Sequence, residues 1–84
     1  MKFRLLSRNL WSDCDVYKGK KKGIVAEIET PFRKSHEFYG LYMYNIKFPG
    51  GWRTSRKEDI RFATFNECAK YIEKEIDNYI INTK

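Results

Sequence analysis

One histidine and two cysteines are the only imidazole and thiol groups in this 84-residue sequence, too few to supply the usual four ligands of a structural zinc site. No Gly-rich phosphate loop, nucleophile elbow or His-Glu-x-x-His run occurs. No Glu-x-Lys or Asp-x-Lys triplet pairs a carboxylate with lysine, as metal-dependent nucleases commonly require. The expectation is a non-enzymatic protein with no metal and no cofactor. His36, between Ser35 and Glu37, reads as a surface loop residue. The longest aliphatic run is Ile24-Val25-Ala26, far below the ~20 residues of a bilayer span. Met1 to Arg8 mixes Lys2, Arg4 and Arg8 into its apolar positions, so no signal-peptide core is expected and a cytoplasmic location is.

Cysteine pairing is equally unexpected in a reducing compartment. Cys14 lies between Asp13 and Asp15, whose charges oppose thiolate formation. Cys68 falls on the apolar stripe of the helix described below and reads as a small buried hydrophobe. Only two prolines and five glycines punctuate the chain. There is no linker, repeat or low-complexity stretch, and residues 1–84 read as one domain.

Aromatics are abundant instead. Six Tyr, six Phe and two Trp make 14 of 84 residues. A domain this small buries only about 60–65% of its unfolded surface, and large rings fill such a core efficiently, so most are expected to be structural. Lys, Asn, Ile and Tyr total 30 residues against 16 for Ala, Gly, Pro and Arg. That is the usage of an AT-rich gene and suits an accessory protein of a phage or mobile element, whose cytoplasm would then be the host's.

Thr64-Phe65-Asn66-Glu67 is a capping box, and Phe65, Cys68, Ala69, Ile72, Ile76, Tyr79 and Ile80 then recur at spacings of three and four. This predicts an amphipathic helix over about 65–81, with 64–82 as the C-terminal helical unit. Asn66, Glu67, Lys70, Glu73, Lys74, Asp77 and Asn78 form its polar face. Residues 1–63 read as strands and basic loops: short candidates at 2–6 and 15–18, a glycine-bounded turn at 19–23, a strand at 24–29, a loop at 30–37 and the longest strand at 39–48. A turn at Pro49-Gly50-Gly51, a strand at 52–55 and a short edge at 60–62 follow. The fold class is α+β: a mainly antiparallel sheet of four or five strands with one C-terminal helix packed on one face. Tyr42, Tyr44, Ile46 and Phe48 are expected to be core under that helix. Leu41, Met43, Asn45 and Lys47 would lie on the other face.

Charge is unevenly divided. Residues 1–57 hold 13 Lys+Arg and 5 Asp+Glu, net +8, whereas residues 58–84 hold 4 and 6, net −2. The positive side chains gather at Lys18, Lys20, Lys21 and Lys22, at Arg33 and Lys34 beside His36, and at Arg53, Arg56 and Lys57. Together with Lys47 these are the candidate contacts to a polyanion. Trp52 follows two glycines and precedes Arg53, a ring at a basic rim suited to stacking on a base or a partner.

Tyr44 to Arg53, followed by Phe62 to Ala69, loosely resembles the arm-type DNA-binding domains of tyrosine recombinases. In those domains a three-stranded sheet precedes a helix that opens in a similar phenylalanine–threonine–acid–alanine pattern. The resemblance covers about a third of the chain, and no individual residue role is carried over from it.

Two functions fit. One is a small nucleic-acid-binding protein with a preference for RNA or single strands, since the one helix offers an acidic-to-neutral outer face and no reading head for a major groove. The other is a phage-encoded inhibitor of a host defence protein or toxin, such as a nuclease, acting with or without RNA.

Overall fold

Five strands pair in chain order, every pairing antiparallel: β1 (Arg4–Asn9), β2 (Cys14–Lys21), β3 (Ile24–Pro31), β4 (Met43–Phe48) and β5 (Gly51–Thr54). A one-turn helix, α1 (Ser55–Glu58), and the long α2 (Phe65–Asn82) follow. The computed structural model describes residues 1–83. The expected α+β sheet with a C-terminal helix on one face is the fold, in its five-stranded form.

Alternation explains which face α2 covers. Ala26 and Ile28 of β3 pair directly with both β2 and β4, Ile24 pairs with β2, and Tyr44, Ile46 and Phe48 share their face. Cys68, Ile72 and Ile76 of α2 complete the core. Ile28, Tyr44, Ile46, Ile72 and Ile76 lose all exposure, each aliphatic side chain contributing about 1.5–3 kcal/mol of burial. The Tyr face of β4 is therefore core, as its apolar alternation requires. Phe65 closes one end, with T-shaped contacts to Phe3, Tyr17 and Tyr42 at 5.8, 5.2 and 6.0 Å. The Thr64 hydroxyl accepts from the Glu67 amide at 3.2 Å and donates to the Glu67 carboxylate at 3.1 Å, so the capping box starts α2.

Several element boundaries differ from those the sequence suggests. The turn expected over Gly19 to Gly23 contracts to Lys22-Gly23, whose φ values of 50° and 82° are those of a tight hairpin. Gly19 is instead a strand residue. A Cβ there would meet the Lys2 carbonyl oxygen at 2.8 Å and the Phe3 ring at 3.0 Å, so glycine lets Met1 to Phe3 cross β2 on the helix side. β4 begins only at Met43, because residues 32–41 form a folded loop. Residues 60–62 contribute one bridge, Tyr42 to Phe62, in place of an edge strand. α1 was not legible in advance: Thr54 caps it by accepting from the Lys57 amide at 3.2 Å.

The 32–41 loop folds onto the helix-free face at one end. The Phe32 amide donates to the Asp13 carbonyl at 2.9 Å, and the Thr30 hydroxyl to the Leu41 carbonyl at 3.0 Å. The Arg61 guanidinium stacks 3.9 Å from the Phe38 centroid. His36 is part of this loop's framework, its Nδ1 accepting from the Phe38 amide at 3.0 Å. No helix among the described residues is long and apolar enough to cross a membrane.

Candidate nucleic-acid interface

Strand register decides which cations reach the helix-free face. Lys20 pairs with Val25, Val25 with Lys47, and Lys47 with Trp52, giving one row across four strands. The next row runs Arg4, Lys18, Glu27, Asn45 and Thr54. Directly paired residues on antiparallel strands project to the same side. Arg4, Lys18, Lys20 and Lys47 thus share one exposed face with Trp52, around the half-buried carboxylate Glu27, and a second half-buried carboxylate, Glu29, follows in the next row of the same face. Glu27 accepts from the Asn45 amide at 3.4 Å. The Lys47 ammonium lies 6.0 Å from the Trp52 ring centroid. That ring is 44% exposed, so it is available to a second partner.

Two of the expected contacts are on the wrong side. Arg53 pairs with Ile46, a core residue, and so points toward α2. There it meets Glu58 at 3.0 Å and Glu75 at 2.8 Å. Burial alone would lower the pKa of this guanidinium, but the carboxylates of Glu75 and Glu58 outweigh it and hold the value above normal. Lys21 pairs with Ile24 and likewise faces the helix, with Asp77 at 3.1 Å and Glu73 at 3.6 Å. The hydrogen bond to Asp77 raises its pKa above the ordinary lysine value. Both cations join sheet to helix and lie off the helix-free face that carries Lys18, Lys20 and Lys47. Arg33 is also engaged: Nε donates to Asp13 at 2.8 Å and the guanidinium lies 5.2 Å from the Phe32 centroid.

The remaining candidates separate by location. Lys22 occupies the β2–β3 turn, Lys34 the folded loop, and Arg56 and Lys57 the exposed α1. None of these four forms an ion pair among the described residues, and neither do Arg4, Lys18, Lys20 and Lys47. Arg56 borders Glu29, whose carboxyl is pushed up by burial and by Glu27, with Arg56 opposing. Cys14, Glu29, His36, Phe38 and Arg61 line a cavity of about 290 Å³ under the loop. Among the described residues no group of three or more His, Cys, Asp or Glu is arranged to hold a metal ion.

Arg4 is the cation of this face that the sequence reading did not include. It reaches the basic face because β1 is long enough to pair with Lys18, and a register shift between Leu5 and Ser7 lies just beyond it. A shift of that kind leaves no local sequence signature. Compared with known proteins, the chain matches no family model, no curated protein and no solved structure.

Proposed function

We propose that the protein binds single-stranded nucleic acid, RNA in particular, without enzymatic activity, on the helix-free face of its sheet. The observation that carries this reading is the co-facial set of Arg4, Lys18, Lys20 and Lys47, all free of ion pairs among the described residues, beside the half-exposed Trp52. Cations two strands apart stand about 10 Å from one another on a sheet. They can contact successive backbone phosphates while the indole stacks on an unpaired base. A duplex is disfavoured because α2 turns its acidic residues to the sheet margins and presents no basic helix to a groove. The natural setting would be a phage or mobile-element accessory protein in its host's cytoplasm.

Fluorescence anisotropy with labelled single-stranded RNA, single-stranded DNA and duplex across a salt series tests the reading. Single strands should bind more tightly than duplex, with affinity falling steeply as salt rises. Equal and salt-independent weak binding of all three would overturn it.

A further inference from the structure

β1 is a strand that buries nothing: all six of its residues are exposed. It is an outer strand, paired only with β2, so its other margin offers unpaired backbone N–H and C=O groups. Leu5 and Leu6 are nevertheless 61% and 56% exposed, and the turn that follows carries Leu10 and a fully exposed Trp11. That turn is held in shape. The Asn9 carboxamide oxygen accepts from the Trp11 and Ser12 amides at 3.0 and 3.3 Å, and Asp13 takes a left-handed φ of 56°. The indole is thus presented on a fixed support, although nothing among the described residues covers it. An outer strand with two exposed leucines, followed by a turn that carries an exposed leucine and an uncovered tryptophan, has the form of an interface.

Charge identifies what completes it. A shallow depression of about 650 Å³ lies over the sheet face beside the first half of β1, with Leu5, Leu6 and Val25 of β3 as its apolar lining and Lys2, Arg4, Lys18 and Lys20 around it. β1 contains no acidic residue. The nearest carboxylate across the ladder, Asp15, is taken by Arg8 at 2.8 Å. A second copy would set arginine-bearing strands against each other, a like-charge arrangement that destabilises a ladder. We propose that β1 receives an extended acidic segment of another protein, added as a sixth strand. Alternate apolar side chains of that segment would pack on Leu6 and Trp11, and its carboxylates would meet Arg4 and Lys18. Backbone pairing would supply affinity and the basic margin would select for acidic sequence. This inference does not rest on the nucleic-acid reading, although the two ligands would compete for Arg4, Lys18 and Lys20.

A displayed library of random 12-residue peptides, selected against the full immobilised chain in nuclease-treated buffer, tests it. Enriched sequences should alternate Asp or Glu with Val, Ile or Leu. A synthetic peptide of the enriched sequence should slow amide hydrogen exchange in β1 and shift Trp11 fluorescence in a Trp52→Phe background. Its affinity should fall at least tenfold with Leu6→Lys or Trp11→Ala, both exposed positions whose unchanged urea midpoints would show intact folding. Enrichment of basic or helix-periodic peptides, no enrichment, or protection outside β1 would overturn the proposal. So would concentration-dependent dimerisation abolished by Leu6→Lys, which assigns the strand to a second copy. Co-sedimentation with vesicles of anionic phosphatidylglycerol, abolished by Trp11→Ala, would assign it to lipid and overturn it equally.

Discussion

Arg53 of β5 and Glu75 of α2 meet at 2.8 Å across the seam between sheet and helix. The same guanidinium lies 5.8 Å from the Phe48 ring centroid and donates to Glu58, which also accepts from the buried Tyr44 hydroxyl. Burial, followed by Glu58, raises the pKa of Tyr44, so its phenol stays protonated and serves as the donor. A residue that belongs to a basic cluster in the sequence is in the fold a connector of three elements.

Arg53→Ala should therefore lower stability by about 1–3 kcal/mol, since it leaves part-buried carboxylates without their charged donor. Glu75→Gln should cost less, because Glu58 still holds the guanidinium. Urea titration measures both. Affinity for single-stranded RNA and its salt dependence should be unchanged in folded Arg53→Ala. A flattened salt slope would return Arg53 to the binding surface.

Ile72 and Ile76 sit at the centre of the interface between α2 and the sheet, each with no exposure. Truncating either to Ala should cost roughly 2–5 kcal/mol through lost burial and the cavity left behind. Lys74→Ala, at an exposed position, should fall within about 0.5 kcal/mol of neutral. Equal losses at all three positions in a denaturant titration would refute the assigned helix face.

What was legible in the sequence follows a physical division. The stripe and capping box of α2 depend on neighbours three and four residues apart, so they can be read locally, and the apolar alternation of β3 and β4 is local too. Which side Lys21 and Arg53 face depends on register with β3 and β4, and their acidic partners lie 52–56 and 5–22 positions away in the chain. A charge cluster in sequence becomes two faces in a strand, because adjacent residues point oppositely. Lys20 and Lys21 illustrate the rule: one is exposed on the helix-free face and the other is clamped to α2. Trp11 escaped notice for a different reason. Apolar residues are read as core by default, and only tertiary structure shows one that has nothing to pack against.

Cys68 is fully buried, and burial pushes its thiol pKa up to about 12. An unfolded cysteine ionises near 8.5. The raised native value means that the associated stability is present below pH ~8.5 and is lost as pH rises toward 12, because only the unfolded state releases the proton in that window. Unfolding free energy of the native chain should thus decline more steeply between pH 8.5 and 10 than that of Cys68→Ala, a difference of at most about 1.4 kcal/mol per pH unit. Both thiols should be unreactive toward an aromatic disulfide reagent at pH 8 until denaturant is added, Cys14 being buried as well. Rapid native-state labelling, or equal pH slopes in the two proteins, would contradict this account.

The helix-free face carries the sharpest prediction. Lys18, Lys20 and Lys47 are exposed there without ion pairs among the described residues, so reversing all three to Glu should remove about three phosphate contacts. Each contact to a single strand contributes about 0.7 to the log–log salt slope, so the slope should become shallower by roughly 2. Trp52→Ala should weaken binding by about 1–3 kcal/mol with little change in slope, since stacking releases no counterions. Lys70 and Lys74, exposed on α2, should be replaceable with little effect. Anisotropy titrations from low to physiological salt separate these outcomes. A triple reversal that leaves both affinity and slope intact, with the urea midpoint unchanged, would remove this face from nucleic-acid binding. Loss of affinity at unchanged slope would instead point to a binding mode governed by packing rather than charge.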